Sequence, residues 1–339
     1  MSFRNYINLL LCGAALLFTG CSLVDEDLSD CGSNVLLHYR LRLVTNAPAE
    51  LDSQLGDAED AEIRQRLTEY LEDIITDQGH DLDLSLYDTV PPMSRFKHTA
   101  DNMNGSSEWS IAPYLPVGTF WHTAMANLQS NGSLVLEEAE SGEAARITQS
   151  IEDGMVRPQT AGLYTGRREL PVLYGVSQEE DVLLYMVNSA TALVVDQSQA
   201  PSVLSVNVKV SGFATEFHVS DSTYVFAPEG KDPLVDTDVL ATRDGGTVCY
   251  ASAHFPSHPA EKGSKASASP LWKWIVHAKM ADGTTTESVL EISQELPNGY
   301  LKILKVKLLD NGVVATSEPL VGVSVTLDWK TGNEFEIEF

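Results

Sequence analysis

The sequence predicts an all-β protein made of two β-sandwiches in tandem, with one helix in the first. Three observations predict it. Apolar and polar residues alternate with a period of two in segment after segment, the mark of strands with one buried face. Only one stretch carries the longer period of an amphipathic helix. Turn-forming residues recur at short spacing with no repeat of about 20–50 residues, which favours sandwiches over a solenoid or a propeller.

The elements follow in chain order. Arg4 is the only charged residue before Asp25, and Leu9 to Phe18 is an unbroken apolar or small run. Its length suits the core of a signal peptide and is too short to span a bilayer. Gly20-Cys21 resembles a lipobox, in which the cysteine sulfur takes up a diacylglycerol and the bond before it is cut. Residues 1–20, with Cys12, are then a lipoprotein signal peptide, and Cys21 is the lipidation site. The alternative is an ordinary secretory signal, with Cys21 a disulfide partner. Two or three acyl chains on one residue anchor stably where a single chain does not. Asp25, Glu26 and Asp27 cannot enter a core, so residues 21–33 read as a solvated acidic tether. Acids directly after a lipid cysteine resemble the surface-export signal of Bacteroides-type lipoproteins, which implies the outer face of the cell outer membrane.

In "NVLLHYRLRLV", Val35, Leu37, Tyr39, Leu41 and Leu43 share one strand face. Leu82, Leu84 and Leu86 alternate with Asp81, Asp83 and Ser85; Val206, Val208 and Val210 do the same with Ser205, Asn207 and Lys209. The helix is "DAEDAEIRQRLTEYLEDIITD", with Ile63, Leu67, Tyr70, Leu71 and Ile74 as its stripe. It is expected across a sheet or at one end of a sandwich. "LLYMVNSATALVV" (Leu183 to Val195) is more uniformly apolar and reads as a central strand pair. Asn131 to Gly142 and Pro256 to Pro270 read as loops. Val323, Val325, Leu327 and Trp329 form a last inward row. About 305 residues after the tether are long for one core and comfortable for two. Turn residues near Gly175 to Asp181 place the division, giving an N-terminal unit of residues 34–178 and a C-terminal unit of residues 179–339.

The formal net charge is −26, which excludes nucleic acid as a partner, because phosphate needs basic patches. It suits an exposed, non-adhering surface. HExxH, CxxC, P-loop and GxSxG motifs are absent. Cys249, His254, His258 and His277 could in principle meet at a zinc ion, although Phe255 and Pro256 speak against helical spacing. Asp77, Asp81 and Asp83 read better as the solvent face of a strand than as calcium ligands. No enzyme, cofactor or metal is expected. After processing, Cys31 and Cys249 could pair in an oxidising compartment, or stay two isolated thiols.

Four features in order resemble the FimB-type fimbrial anchor lipoproteins of Bacteroides-type bacteria, relatives of the fimbrillins. They are Cys21 with acids and "EDLSDCG" leading into the first strand; "LPVGTF" (Leu115 to Phe120); "LYTGRRELPV" (Leu163 to Val172); and the close, "VTLDWKTGNEFEIEF". The resemblance implies transthyretin-like sandwiches and a non-enzymatic structural role. The protein would anchor a fimbria (pilus) to the outer membrane through its lipid, contact stalk or accessory subunits, and serve cell adhesion by assembling them. Such subunits join by strand donation, the main-chain ladder supplying affinity and alternate side chains specificity. Phe335, Ile337 and Phe339, opposite Glu334, Glu336 and Glu338, suit a subunit-contact strand, or the last hairpin strand of the chain's own second unit. An anchor is expected to keep its first strand uncut at Arg40 and Arg42. The rival function is a surface glycan-binding lipoprotein, which needs Trp109, Trp121, Trp272 or Trp274 together in an exposed platform.

Overall fold

The computed structural model describes residues 34–45, 53–54, 61–75, 78–88, 94–100, 102–137, 145–228, 230–241, 246–260, 269–317 and 321–328. Residues 1–20, expected to be a signal peptide, and Cys21, Cys31 and residues 329–339 with Phe335, Ile337 and Phe339 lie outside them.

In chain order the elements begin with β1 (Asn34–Val44), α1 (Ala61–Ile75), β2 (Leu82–Asp88), β3 (Ser94–Ala100), β4 (Glu108–Ile111), β5 (Tyr114–Pro116) and β6 (Gly118–Ala126). Then come β7 (Leu134–Glu137), β8 (Arg146–Gln149), β9 (Ile151–Glu152), β10 (Met155–Val156), β11 (Tyr164–Val172) and β12 (Gln178–Met186). The next are β13 (Ser189–Asp196), β14 (Val203–Ser211), β15 (Glu216–His218), β16 (Thr223–Val225), β17 (Leu234–Val235) and β18 (Asp238–Ala241). The last are β19 (Thr247–His254), β20 (Trp272–Met280), β21 (Thr285–Ile292), β22 (Leu301–Leu308), β23 (Val314–Ala315) and β24 (Val321–Asp328). Among the described residues the fold is all-β with one full-length helix, α1, as the alternation predicts.

Among the described residues the strands form four sheets. Sheet I runs β3-β2-β6-β11-β12-β1-β4, with β5 also on β1. Sheet II runs β18-β19-β13-β22-β23, sheet III β24-β21-β20-β14-β17-β10-β9, and sheet IV β16-β15-β8-β7. The strand β12, at whose start the sequence suggests a division, runs parallel to β1 over Leu37 to Val44 and belongs to sheet I. In the other direction, β8 pairs with β15 and β10 with β17. Ladders therefore cross position 178 both ways. The stretch expected as a loop from Asn131 contains β7, because Leu134 is needed in the small core under sheet IV with Ile147 and Phe217.

The apolar run is not one strand pair: its first half lies on β12 of sheet I, where Leu183 and Tyr185 are 37% and 55% exposed, and sheet II explains its second half. In sheet II, β13 is buried along all but its last residue. One face carries small residues, Ala190, Ala192, Ala251 and Ala253 with Cys249, and shares a core with the α1 stripe and sheet I. The other carries Leu193, Val195, Tyr250, Leu304 and Val306, which pack on Trp272, Trp274 and Val276 of sheet III. Small side chains let a helix approach a sheet closely; large ones fill a sandwich. A strand covered on both faces has no polar face to alternate. The helix stripe is buried as predicted, with Ile63, Leu67, Leu71 and Ile74 each at most 2% exposed, and Tyr70 Oη donates to Asp238 of β18 at 2.8 Å.

One end of sheet I is fixed to the later sheets by three buried asparagines. Asn127 Nδ2 donates to Gln78 O and Gly162 O, each at 2.8 Å. Asn131 Nδ2 donates to Asn127 O and Ala161 O, and Asn188 Nδ2 donates to Ala161 O. Each amide finds backbone partners, which is the condition for burying a polar group without loss. Asp81, one of the three acids weighed for calcium, accepts from the N–H groups of Gln129 and Ser130 and from Ser130 Oγ, and so fixes this junction.

Candidate assembly site at the first and last strands

The alternation of β1 seats Leu37, Tyr39, Leu41 and Leu43 in the core at 0–6% exposure. Both edges of the strand are paired. β12 holds one side; β4 and β5 hold the other. Arg40 lies on the outer face and grips Asp181 of β12, Nε to Oδ1 at 2.5 Å and Nη2 to Oδ2 at 3.0 Å. That guanidinium holds the Asp181 carboxyl below its ordinary range. The bonds after Arg40 and Arg42 thus sit in a strand bordered by ladders on both sides.

Register places a polar row across the inner face of sheet I. His122 of β6 stands opposite Arg168 of β11, and Glu180 of β12 opposite Tyr39 of β1. Arg168 Nη2 donates to Glu180. The Tyr39 and His122 rings meet edge to face at 5.4 Å. Burial, with the nearby Arg168 charge adding, pushes His122 down to about 3, so the ring is neutral. The two resembling motifs lie side by side here, Val172 opposite Gly118 and Leu170 opposite Phe120. This row was not legible beforehand. Its sign is Arg168, a charge at an inward position of a strand whose neighbours Leu170 and Val172 are buried.

At the other end of the chain, β24 pairs with β21 over its full length and is the border strand of sheet III. Residues directly opposite in an antiparallel pair share a face. Leu290 and Ser288 of β21 face the core at 0% exposure, opposite Val323 and Val325. Yet Val323 and Val325 are each 40% exposed. The sequence gives their face correctly; the structure leaves that part of the face uncovered among the described residues.

The other candidates go to separate places. Cys249 is a buried, free thiol in the small-residue row facing α1, and burial pushes it up to about 12. His254 stacks on Phe213 at 3.5 Å. His258 pairs with Asp232 at 3.0 Å and His277 with Glu287 at 2.8 Å. Trp272 and Trp274 are 2% and 0% exposed in the core between sheets II and III. Trp109 and Trp121 lie on β4 and β6, with β11, β12 and β1 between them, and Trp121 carries the Arg167 guanidinium 4.1 Å above its ring. The four tryptophans do not form one platform.

No protein-family model matches the chain, and no curated protein sequence does. Solved structures do. A candidate polysaccharide-binding protein from Bacteroides thetaiotaomicron superposes with a TM-score of 0.52 at 13% identity, covering 84% of this chain and 99% of that one. A candidate adhesin from the same organism gives 0.51 at 11%, covering 86% and 96%. The fimbrial anchor protein Mfa2 from Porphyromonas gingivalis gives 0.44 at 9%, covering 86% and 98%. At these identities the likeness concerns the fold: the chain has the fold of the two Bacteroides thetaiotaomicron proteins.

Proposed function

We propose that this is a non-enzymatic surface lipoprotein, held in the outer membrane by Cys21, that anchors a fimbria and joins its subunits by strand complementation. One observation carries the assembly part: Val323 and Val325 face the core of sheet III and are nevertheless 40% exposed. A core-facing strip on a border strand is what an added strand covers, with main-chain pairing along the edge and side chains in the open strip. The segment Glu334–Phe339 carries the matching alternation, and the four residues 330–333 are long enough for a turn back onto β24. In this reading Phe335, Ile337 and Phe339 cover the strip in an isolated subunit, and a neighbour's strand takes their place in the fimbria. The paired borders of β1 support the anchor's part, because a retained first strand keeps the chain continuous with its lipid.

Two measurements test this. Intact mass of the mature protein from outer-membrane fractions, for wild type and Cys21→Ser, reports the lipid and the N-terminus. Acyl chains on Cys21 with the chain continuous through Arg42 are expected; a chain beginning after Arg40 or Arg42 overturns the anchor. A photo-crosslinker at Val325 should join residues 334–339 of its own chain in the purified protein, and a stalk or accessory subunit in isolated fimbriae. The same intramolecular product in both settings overturns strand complementation at this edge.

A further inference from the structure

The end of sheet I away from the asparagine junction carries two uncharged apolar connections, flanked by Asp88 of β2 and Glu179 of β12, and it is the end at which β1 begins. Four strand ends meet there. β1 begins at Asn34, opposite Pro116 of β5. β12 begins beside it, with Gln178 level with Leu37. β11 ends at Val172, opposite Gly118, where β6 starts. Only Val117 separates Pro116 from Gly118, so the sheet curls until β5 and β6 lie within about 7 Å of chain. Tyr114 and Val117 on one connection and Leu173, Tyr174 and Val176 on the other are 67%, 43%, 52%, 76% and 51% exposed.

Composition marks the tip off from the rest of the surface. The stretches Tyr114 to Trp121 and Leu170 to Ser177 contain no charged residue, in a chain where 21% are charged. Sixteen residues at that frequency would carry about three charges. The second stretch is held in shape. Gln178 Nε2 donates to Pro171 O at 2.8 Å, its Oε1 accepts from Leu173 N at 2.7 Å, and Gly175 takes a φ of 74° that its neighbours would resist. An exposed apolar group that is both preshaped and charge-free is an interaction surface rather than scattered surface hydrophobics.

Its position selects the occupant. Cys21 is separated from Asn34 by twelve residues, a reach of at most about 45 Å and much less for a relaxed chain. At its relaxed length of about 20 Å, shorter than the eleven-residue β1 at roughly 36 Å, the tether from a lipidated Cys21 places this end nearer the bilayer than the asparagine junction. Tyrosines with aliphatic neighbours and no charge suit the headgroup boundary of a membrane, where the ring is half apolar and the hydroxyl stays wet. We infer that the tip formed by Tyr114, Val117, Leu173, Tyr174 and Val176 rests in the surface of the bilayer that holds the Cys21 lipid. It would act as a second, shallow contact that sets the protein upright, with the junction and later sheets pointing outward. The inference rests on lipidation at Cys21.

The test uses the full, lipidated protein in vesicles of phosphatidylcholine and phosphatidylethanolamine. Cys31→Ser removes a competing thiol, and a nitroxide is placed by Tyr174→Cys or, as a control, by Val239→Cys, a 60%-exposed position on β18 of sheet II. Collisions of the label with oxygen and with a water-soluble nickel complex are read by electron spin resonance. At 174 the oxygen-to-nickel ratio should rise several-fold on going from detergent-free buffer to vesicles; at 239 it should not move. A label at 174 that stays aqueous on acylated protein overturns this inference alone. Intact mass showing no acyl chain overturns it together with the anchoring reading. A label at 174 that is shielded only after purified fimbrial subunits are added assigns the tip to a protein contact and likewise overturns it.

Discussion

The first strand and the last carry the same sequence pattern and meet opposite fates. In β1, Leu37, Tyr39, Leu41 and Leu43 are at most 6% exposed, and both borders are paired. In β24, Val323 and Val325 also face a core, yet they are 40% exposed and the outer border is unpaired among the described residues. Alternation chooses which face of a strand is apolar. It does not choose what lies over that face. The difference is the one the anchoring role proposed above requires, with the chain held fixed at one end and available to a neighbour's strand at the other.

Acid should separate the two regions most strongly. His122, in the row beneath β1, and His254 are fully buried and pushed down to about 3 from an ordinary 6.5 by burial. With the folded pKa lowered, only the unfolded chain takes up these protons between pH 6.5 and 3. Stability is therefore full above about pH 6.5 and falls as pH drops toward 3, by several kcal/mol over both rings. Hydrogen exchange at pH 5 should show sheet I loosening around β1. His122→Phe should recover part of the loss; an unchanged pH profile in that variant would separate the acid response from this row.

Core truncation comes next. Leu41→Ala should cost about 2–5 kcal/mol in urea unfolding, and Val323→Ala less than about 1 kcal/mol. Equal costs would mean that the last segment covers Val323 as fully as the core covers Leu41 in the isolated protein. Removing residues 330–339 should then abolish the Val323 cost and leave the Leu41 cost intact, which identifies the covering strand.

Trypsin sharpens the contrast at smaller scale. Cleavage after Arg40 or Arg42 requires β1 to leave two ladders, so it should be at least about 100-fold slower than cleavage after Lys231, which is exposed and lies outside the strands. N-terminal sequencing of the first fragments checks this. Smallest of all is the outer ion pair. Asp181→Asn removes the Arg40 contact on a solvent-exposed face and should leave the unfolding midpoint unchanged within error, because exposed pairs gain little over hydration.

Much of the architecture was legible from the chain alone. Period-two alternation marked β1, β2, β14 and the start of β24, and the spacing of Ile63, Leu67, Leu71 and Ile74 marked the helix and its buried stripe. The largely apolar run at Leu183 to Val195 announced the buried strand β13, because a strand covered on both faces has little use for polar residues, but not that its first half belongs to β12 in another sheet. Local physics suffices for these features, since each depends on neighbours two, three or four residues away.

Tertiary structure alone decided the rest. Nothing local says that β8 and β10 pair with strands some seventy to eighty residues later, or that β12 completes the sheet begun by β1, because hydrogen-bonding edges are alike in every strand. Nothing local gathers Tyr114, Val117, Leu173, Tyr174 and Val176 at the end where β1 begins; that follows from how four strand ends are ordered in one sheet. The sequence by itself determined which faces are apolar and where the helix lies. The fold decided which of those apolar faces are covered, since coverage is a property of the partner surface and not of the residue that seeks it.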